Sequence, residues 1–250
     1  MAPYIPIDPS QPFKFSKSTL IIPSISLGNI PQLTIDLLIH TYNLTKIGYL
    51  DDTYLYPFAS PIDYHSDPIS GISHAIEIYH GENITVLQQR SPIIPGYTGD
   101  YVRDVILPFV KSEGSFAKVI VLDSLDAGVF EHVETGDVKV FGVDELLSNS
   151  FESLRLSPDK NDDDDDEKTS FTKYVKDLIY GIKDDKSIEL NVFVSFVYEG
   201  DNFYDAEVLT TEIKEFLKLP DVGSWKRPIS WFGAYGDKPI PNAMEEGLFG

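Results

Sequence analysis

The chain has 250 residues, no cysteine, 42% hydrophobic and 24% charged residues. That is the make-up of a globular protein with a full core, and it excludes disulfides, thiol catalysis and cysteine-based zinc sites. A formal net charge of −20 opposes nucleic acid and anionic membranes and favours a basic protein partner.

Residues 1–18 read as a flexible N-terminal arm. With three prolines among residues 1–11 and no basic region before an apolar run, the start is not a secretory signal. No apolar run approaches a membrane span, so a cytoplasmic and nuclear location is expected. Residues 19–25, rich in β-branched side chains, predict a strand. Gly28-Asn29 marks a turn, Pro31 suits an early helical position, and Leu33, Leu37 and Leu38 give a helical stripe to His40. Residues 45–50 predict a second strand, and 51–73, with Pro57, Pro61 and Pro68, a loop. Alternation over 74–79 and 84–88 around Gly81-Glu82-Asn83 predicts a hairpin.

Tyr101, Val105, Ile106, Phe109 and Val110 predict a helix over 99–112 that Pro108 kinks. Residues 118–122 form a near-continuous apolar run, as in a strand buried on both faces, and lead to Asp123-Ser124. A small hairpin is expected over 130–143 around Gly136-Asp137. Asp159, the run 162–166 and Glu167 define an acidic surface insertion at about 158–169. A short helix at 171–180, a buried strand at 191–198 and a helix at 204–217 follow. That last helix is expected to turn Ala206, Leu209, Ile213, Phe216 and Leu217 inward. Strands alternating with helices argue for a single-domain α/β sandwich around one mixed sheet, over residues 19–236.

The C-terminal stretch is unusual. Trp231, Phe232 and Tyr235 stand among Gly233 and Gly236, which predicts an irregular segment packed on the domain. Residues 237–250 then read as a flexible tail carrying the apolar-aromatic end Leu248-Phe249-Gly250. Such an end, with its carboxylate, suits a pocket on another protein.

Signatures of chemistry are mostly absent: no Walker loop, dinucleotide fingerprint, HExxH or GxSxG occurs. The histidines at 40, 65, 74, 80 and 132 lack metal-ligand spacing, and no cofactor is expected. Asp123-Ser124 at a strand end is the place where an open α/β sheet would hold a ligand, although a loop-capping pair is the simpler reading. Arg90 suits either an anion or a salt bridge, of which the second is favoured. Three alternatives therefore stand: a binding protein, an enzyme using Asp123, Ser124 or Arg90 at a strand-end pocket, and an acidic adaptor for a basic partner.

Three segments carry a family resemblance: residues 27–38 (LGNIPQLTIDLL), 88–92 (QQRSP) and 227–236 (RPISWFGAYG). Together they resemble the proteasome assembly chaperone 2 family in its fungal form, over most of the chain outside the arm and the acidic insertion. The resemblance implies a nucleoside-phosphorylase-like fold without catalysis. It also implies a heterodimer with proteasome assembly chaperone 1, bound to the α-ring of the 20S proteasome. It places the family's inserted anchor (hydrophobic, Tyr, any residue) on Leu248, Phe249 and Gly250, with Phe249 in place of Tyr. Asn29, Pro31, Arg90, Pro228, Trp231, Tyr235 and Gly236 are the motif residues expected to form its scaffold.

Overall fold

In the computed structural model, residues 4–10, 15, 18–113, 116–130, 133–147 and 171–232 are described. They build one mixed sheet of eight strands between two helical layers. The strands are β1 (Tyr4–Pro6), β2 (Thr19–Pro23), β3 (Thr45–Leu50), β6 (Ile76–Gly81), β7 (Ile84–Gln89), β8 (Lys118–Asp126), β9 (Val138–Gly142) and β10 (Glu189–Val197). The small strands β4 (Ala59–Pro61) and β5 (Ile72–His74) pair separately. Across the sheet the order is β1-β3-β6-β7-β2-β8-β10-β9. The four strands β7, β2, β8 and β10 run parallel at the centre, and the flanking pairs are antiparallel. Parallel strands need both faces covered, which explains why β8 and β10 are apolar at successive positions.

Helices α1 (Ile30–Thr41) and α5 (Phe203–Leu217) cover one face, on Ile21, Ile120, Leu122, Phe193 and Val197. The other face, with Leu20, Ile22, Val119, Val121 and Val192, is covered by α2 (Thr98–Tyr101), its continuation, and α4 (Lys173–Ile182). A short α3 (Val143–Leu147) follows β9. Beyond α2 the helix widens into π turns at Val102–Ile106 and Phe109–Glu113, flanking Pro108. Proline brings no N–H to the ladder and its ring crowds the preceding turn, so a regular α-helix does not run on through it.

Several expectations need correction. The described residues of the N-terminal arm are packed on the domain: β1 pairs with β3, Tyr4 donates its O–H to the Ile47 carbonyl at 3.1 Å, and Phe15 is buried against Phe109 and Phe116. Gly48 makes room, since a Cβ there would meet the Tyr4 ring at 2.4 Å. The domain therefore takes in residues before 19. Among the described residues no hairpin forms over 130–143: β9 pairs with β10 instead, although the backbone does turn at Gly136-Asp137. The strand expected from His74 breaks there, with His74 ending β5 and β6 starting at Ile76. On α5 the inward set is Ala206, Leu209, Thr210 and Ile213, while Phe216 is half out of the core, its ring edge-on to Phe193. The acidic insertion at 158–169 and the tail at 237–250 lie outside the described residues.

Candidate functional site

The turn from β2 into α1 is set by backbone conformation. Gly28 (φ 66°) and Asn29 (φ 51°) are both left-handed, a state glycine and asparagine tolerate best. A Cβ on Gly28 would meet Asn202 Oδ1 at 2.5 Å, so glycine also allows the α5 N-cap to approach. Asn29 is then the N-cap of α1 and Pro31 enters its first turn, the position where a missing N–H costs nothing.

At the C-terminal ends of β2 and β7 this turn opens a cleft of about 550 Å³. Gly28, Asn29, Gln32, Leu33 and Asp36 line it from one side, and Gln89, Arg90 and Pro92 from another. Ser230 and Trp231 close it, with Ile25, Phe58 and Phe203 completing the wall. All three segments that carry the family resemblance thus meet at a single cavity.

The cavity floor is a fixed polar network. Arg90 Nη2 donates to Asp36 Oδ1 at 2.9 Å, and Gln88 Nε2 donates to the same oxygen at 2.5 Å and to the Gln32 carbonyl at 3.1 Å. Gln32 Nε2 donates to the Ser24 carbonyl at 2.6 Å. Burial opposes the charge on Arg90, but the Asp36 carboxylate beside it outweighs that cost and raises the guanidinium pKa. Arg90 is therefore in a salt bridge, as its sequence context favoured. His40, on the same helix as Asp36, has its pKa lowered, chiefly by burial.

The third wall is aromatic. Trp231 is 5% exposed and stacks on Phe203, ring centres 4.4 Å apart and 8° from parallel. The Arg227 guanidinium lies 5.7 and 5.9 Å from the two ring centres and donates to Glu207 at 2.8 Å. Pro228 is buried before the 3-10 turn Ile229–Trp231. That turn is held by the Ile229 N–H on the Tyr64 carbonyl (2.7 Å) and by Ser230, whose hydroxyl and N–H both reach Asp63. Trp231 thus packs on the domain as expected. Tyr235, Gly236, Leu248, Phe249 and Gly250 lie outside the described residues.

Asp123 and Ser124 do not join this cleft. β8 runs on through them, and both are buried. Asp123 accepts from the Ser24 hydroxyl at 2.6 Å and the Ser124 N–H at 3.0 Å, while the Ser124 hydroxyl donates to the Leu27 carbonyl at 2.6 Å. They tie down the β2–α1 connection, the loop-capping role. The strand-end constellation of Asp123, Ser124 and Arg90 is not assembled.

Phe58 and Phe203 are wall residues that no motif announced. Asp36 carries a faint signal, since it falls three residues after Leu33 and four before His40, on the packed side of α1.

Fold and cleft together fit one class: a family profile described as the PAC2 family matches residues 20–169, and the chain belongs to that family. The match runs through the acidic tract, which the resemblance had left out. Over nearly its whole length the chain is similar to proteins named Proteasome assembly chaperone 2. The Bos taurus protein is 30% identical, over 90% of this chain and 94% of its own. The Homo sapiens protein is 29% identical (96% and 99%), and that of Saccharomyces cerevisiae 28% (88% and 95%). Among solved structures, Pyrococcus furiosus PbaA, described as an archaeal homolog of proteasome-assembly chaperone, superposes with a TM-score of 0.60 at 17% identity, covering 88% of each chain. PbaB, described as an archaeal proteasome activator, gives 0.57 at 13% identity, over 89% of this chain and 92% of its own. These two likenesses concern the fold.

Proposed function

We propose that this chain is a proteasome assembly chaperone subunit that works by binding and not by catalysis. The observation that carries the reading is the similarity to proteins named Proteasome assembly chaperone 2, at up to 30% identity over about nine-tenths of the chain. The cleft agrees with it, because its one charged pair, Arg90–Asp36, is spent on mutual neutralisation and offers no poised acid or base. In the finer form of the proposal, the chain pairs with proteasome assembly chaperone 1 and sits on the 20S α-ring, in cytoplasm and nucleus. Leu248, Phe249 and Gly250 enter a groove between α-subunits. The net charge of −20 suits basic partner surfaces.

Native mass spectrometry of the tagged protein isolated from its own cells tests this. The expected result is co-isolation of proteasome α-subunits with a second PAC2-family chain. Recovery of the protein without α-subunits, under conditions that preserve assembly intermediates, would overturn it. Deleting residues 248–250 is expected to weaken α-ring recovery while leaving the second chaperone bound.

A further inference from the structure

We propose that the C-terminal segment docks into the cleft of its own chain, Leu248 and Phe249 against the wall formed by Leu33, Phe58 and Trp231. The docked form would hold the anchor back until an α-ring competes for it, and this regulatory half rests on the function proposed above.

The first reason is where the described chain stops. Trp231 lines the cleft, and Phe232, 51% exposed, is the next and last described residue. Residues 233–250 start at the mouth of the cavity, and the stretch from 232 to 249 can span about 55 Å when extended. A return to the starting point needs only a fraction of that reach. A tether of this kind presents its end at about millimolar effective concentration, so a weak intrinsic contact suffices.

The second reason is chemical. The wall contributed by Ile25, Leu33, Phe58, Pro92, Phe203 and Trp231 is apolar, while the floor is polar, its charges paired as Arg90–Asp36 and three of its buried atoms, Gln32 Oε1, Gln88 Oε1 and Arg90 Nε, without a hydrogen-bond partner among the described residues. A cavity of about 550 Å³ has the size and lining that bury a compact apolar group. Between residues 237 and 250 the tail offers Leu248-Phe249 as its one adjacent pair of large apolar side chains. Charge points the same way. Glu245 and Glu246 precede the pair, and the N-terminus of α1 at the rim has no acidic residue in its first turn and no side-chain cap. A helix N-terminus favours nearby carboxylates.

The test uses a fluorescent peptide of residues 241–250 and the whole chain, with and without residues 248–250. The peptide is expected to bind the truncated chain and, by competition from the tethered tail, to bind the intact chain about tenfold more weakly. Phe249→Ala in the peptide, or Leu33→Asp in the cleft, should abolish binding. Phe58→Asp serves as the second cleft variant if Leu33→Asp does not fold. No binding to the truncated chain, or equal binding to both chains, would overturn self-docking. An intact chain that dimerises and becomes monomeric on truncation would overturn it too, because the occupant would then be a second copy. α-Ring pull-down separates the two claims. A several-fold gain with Leu33→Asp supports withholding of the anchor, and unchanged α-ring binding overturns it. Absence of α-ring binding by every form would remove the proposed function and its regulation, with the peptide result still deciding self-docking.

Discussion

Asp123 carries a carboxyl group with no exposure at all, in the central strand β8. Its pKa is pushed up to about 6 by that burial, against the opposing pull of hydrogen bonds from Ser24, Ser26 and the Ser124 N–H. The folded chain keeps this proton to a higher pH than an ordinary Asp near 3.8 does. Its contribution to stability is therefore complete below about pH 4, declines as pH rises to about 6, and stays lost above. A difference of two units corresponds to roughly 3 kcal/mol. Asp123→Asn retains an acceptor for Ser24 and cannot ionise. Urea unfolding of both proteins between pH 4 and 7 should show a decline in the wild type that the variant lacks. Parallel curves would mean that Asp123 ionises in place without penalty.

Among elements, the Arg90–Asp36 pair fastens α1 to the end of β7 across the cleft floor. Asp36 is 5% exposed, so Arg90→Ala would leave its charge buried and uncompensated, at a cost of about 3–5 kcal/mol. Removing both charges, as Asp36→Leu with Arg90→Met, should recover much of that loss, because an apolar pair needs no desolvation of ions. Chemical denaturation of the single and double variants reads this out, and a double variant no better than Arg90→Ala would deny the pair its role. The elements also show how far the sequence could be read. Local signals were enough for β3 at Thr45–Leu50, for β8 and for α5, whose apolar patterns match their own period. The edge strand β1 is only three residues long and its last is Pro6, too short for a pattern to emerge. The Gly136-Asp137 turn is local and shows in the sequence, but the partner of β9 is β10, about fifty residues on, and no local signal points that far. Of the cleft, the motif residues Asn29, Arg90 and Trp231 were legible. Phe58 and Phe203 were not, since a loop phenylalanine carries no signal of the tryptophan it will face.

For the whole molecule, the charge is dispersed, so the acidic tract at 158–169 can be separated from the rest of the balance. A run of like charges buries nothing and repels itself. Its deletion is expected to leave the melting temperature and partner binding nearly unchanged, measured by calorimetry and co-purification. A fall in melting temperature would show that the tract is structural. The sheet order has a further consequence, for synthesis. β9 precedes β10 in the chain yet lies outside it, at the edge. As the polypeptide leaves the ribosome, β9 has no neighbour to join, and β8 keeps one bare edge, until residues 189–197 emerge and slide between them. The nascent protein thus exposes an unpaired strand in its middle for the time needed to make the acidic tract and α4, when a holding chaperone would find it.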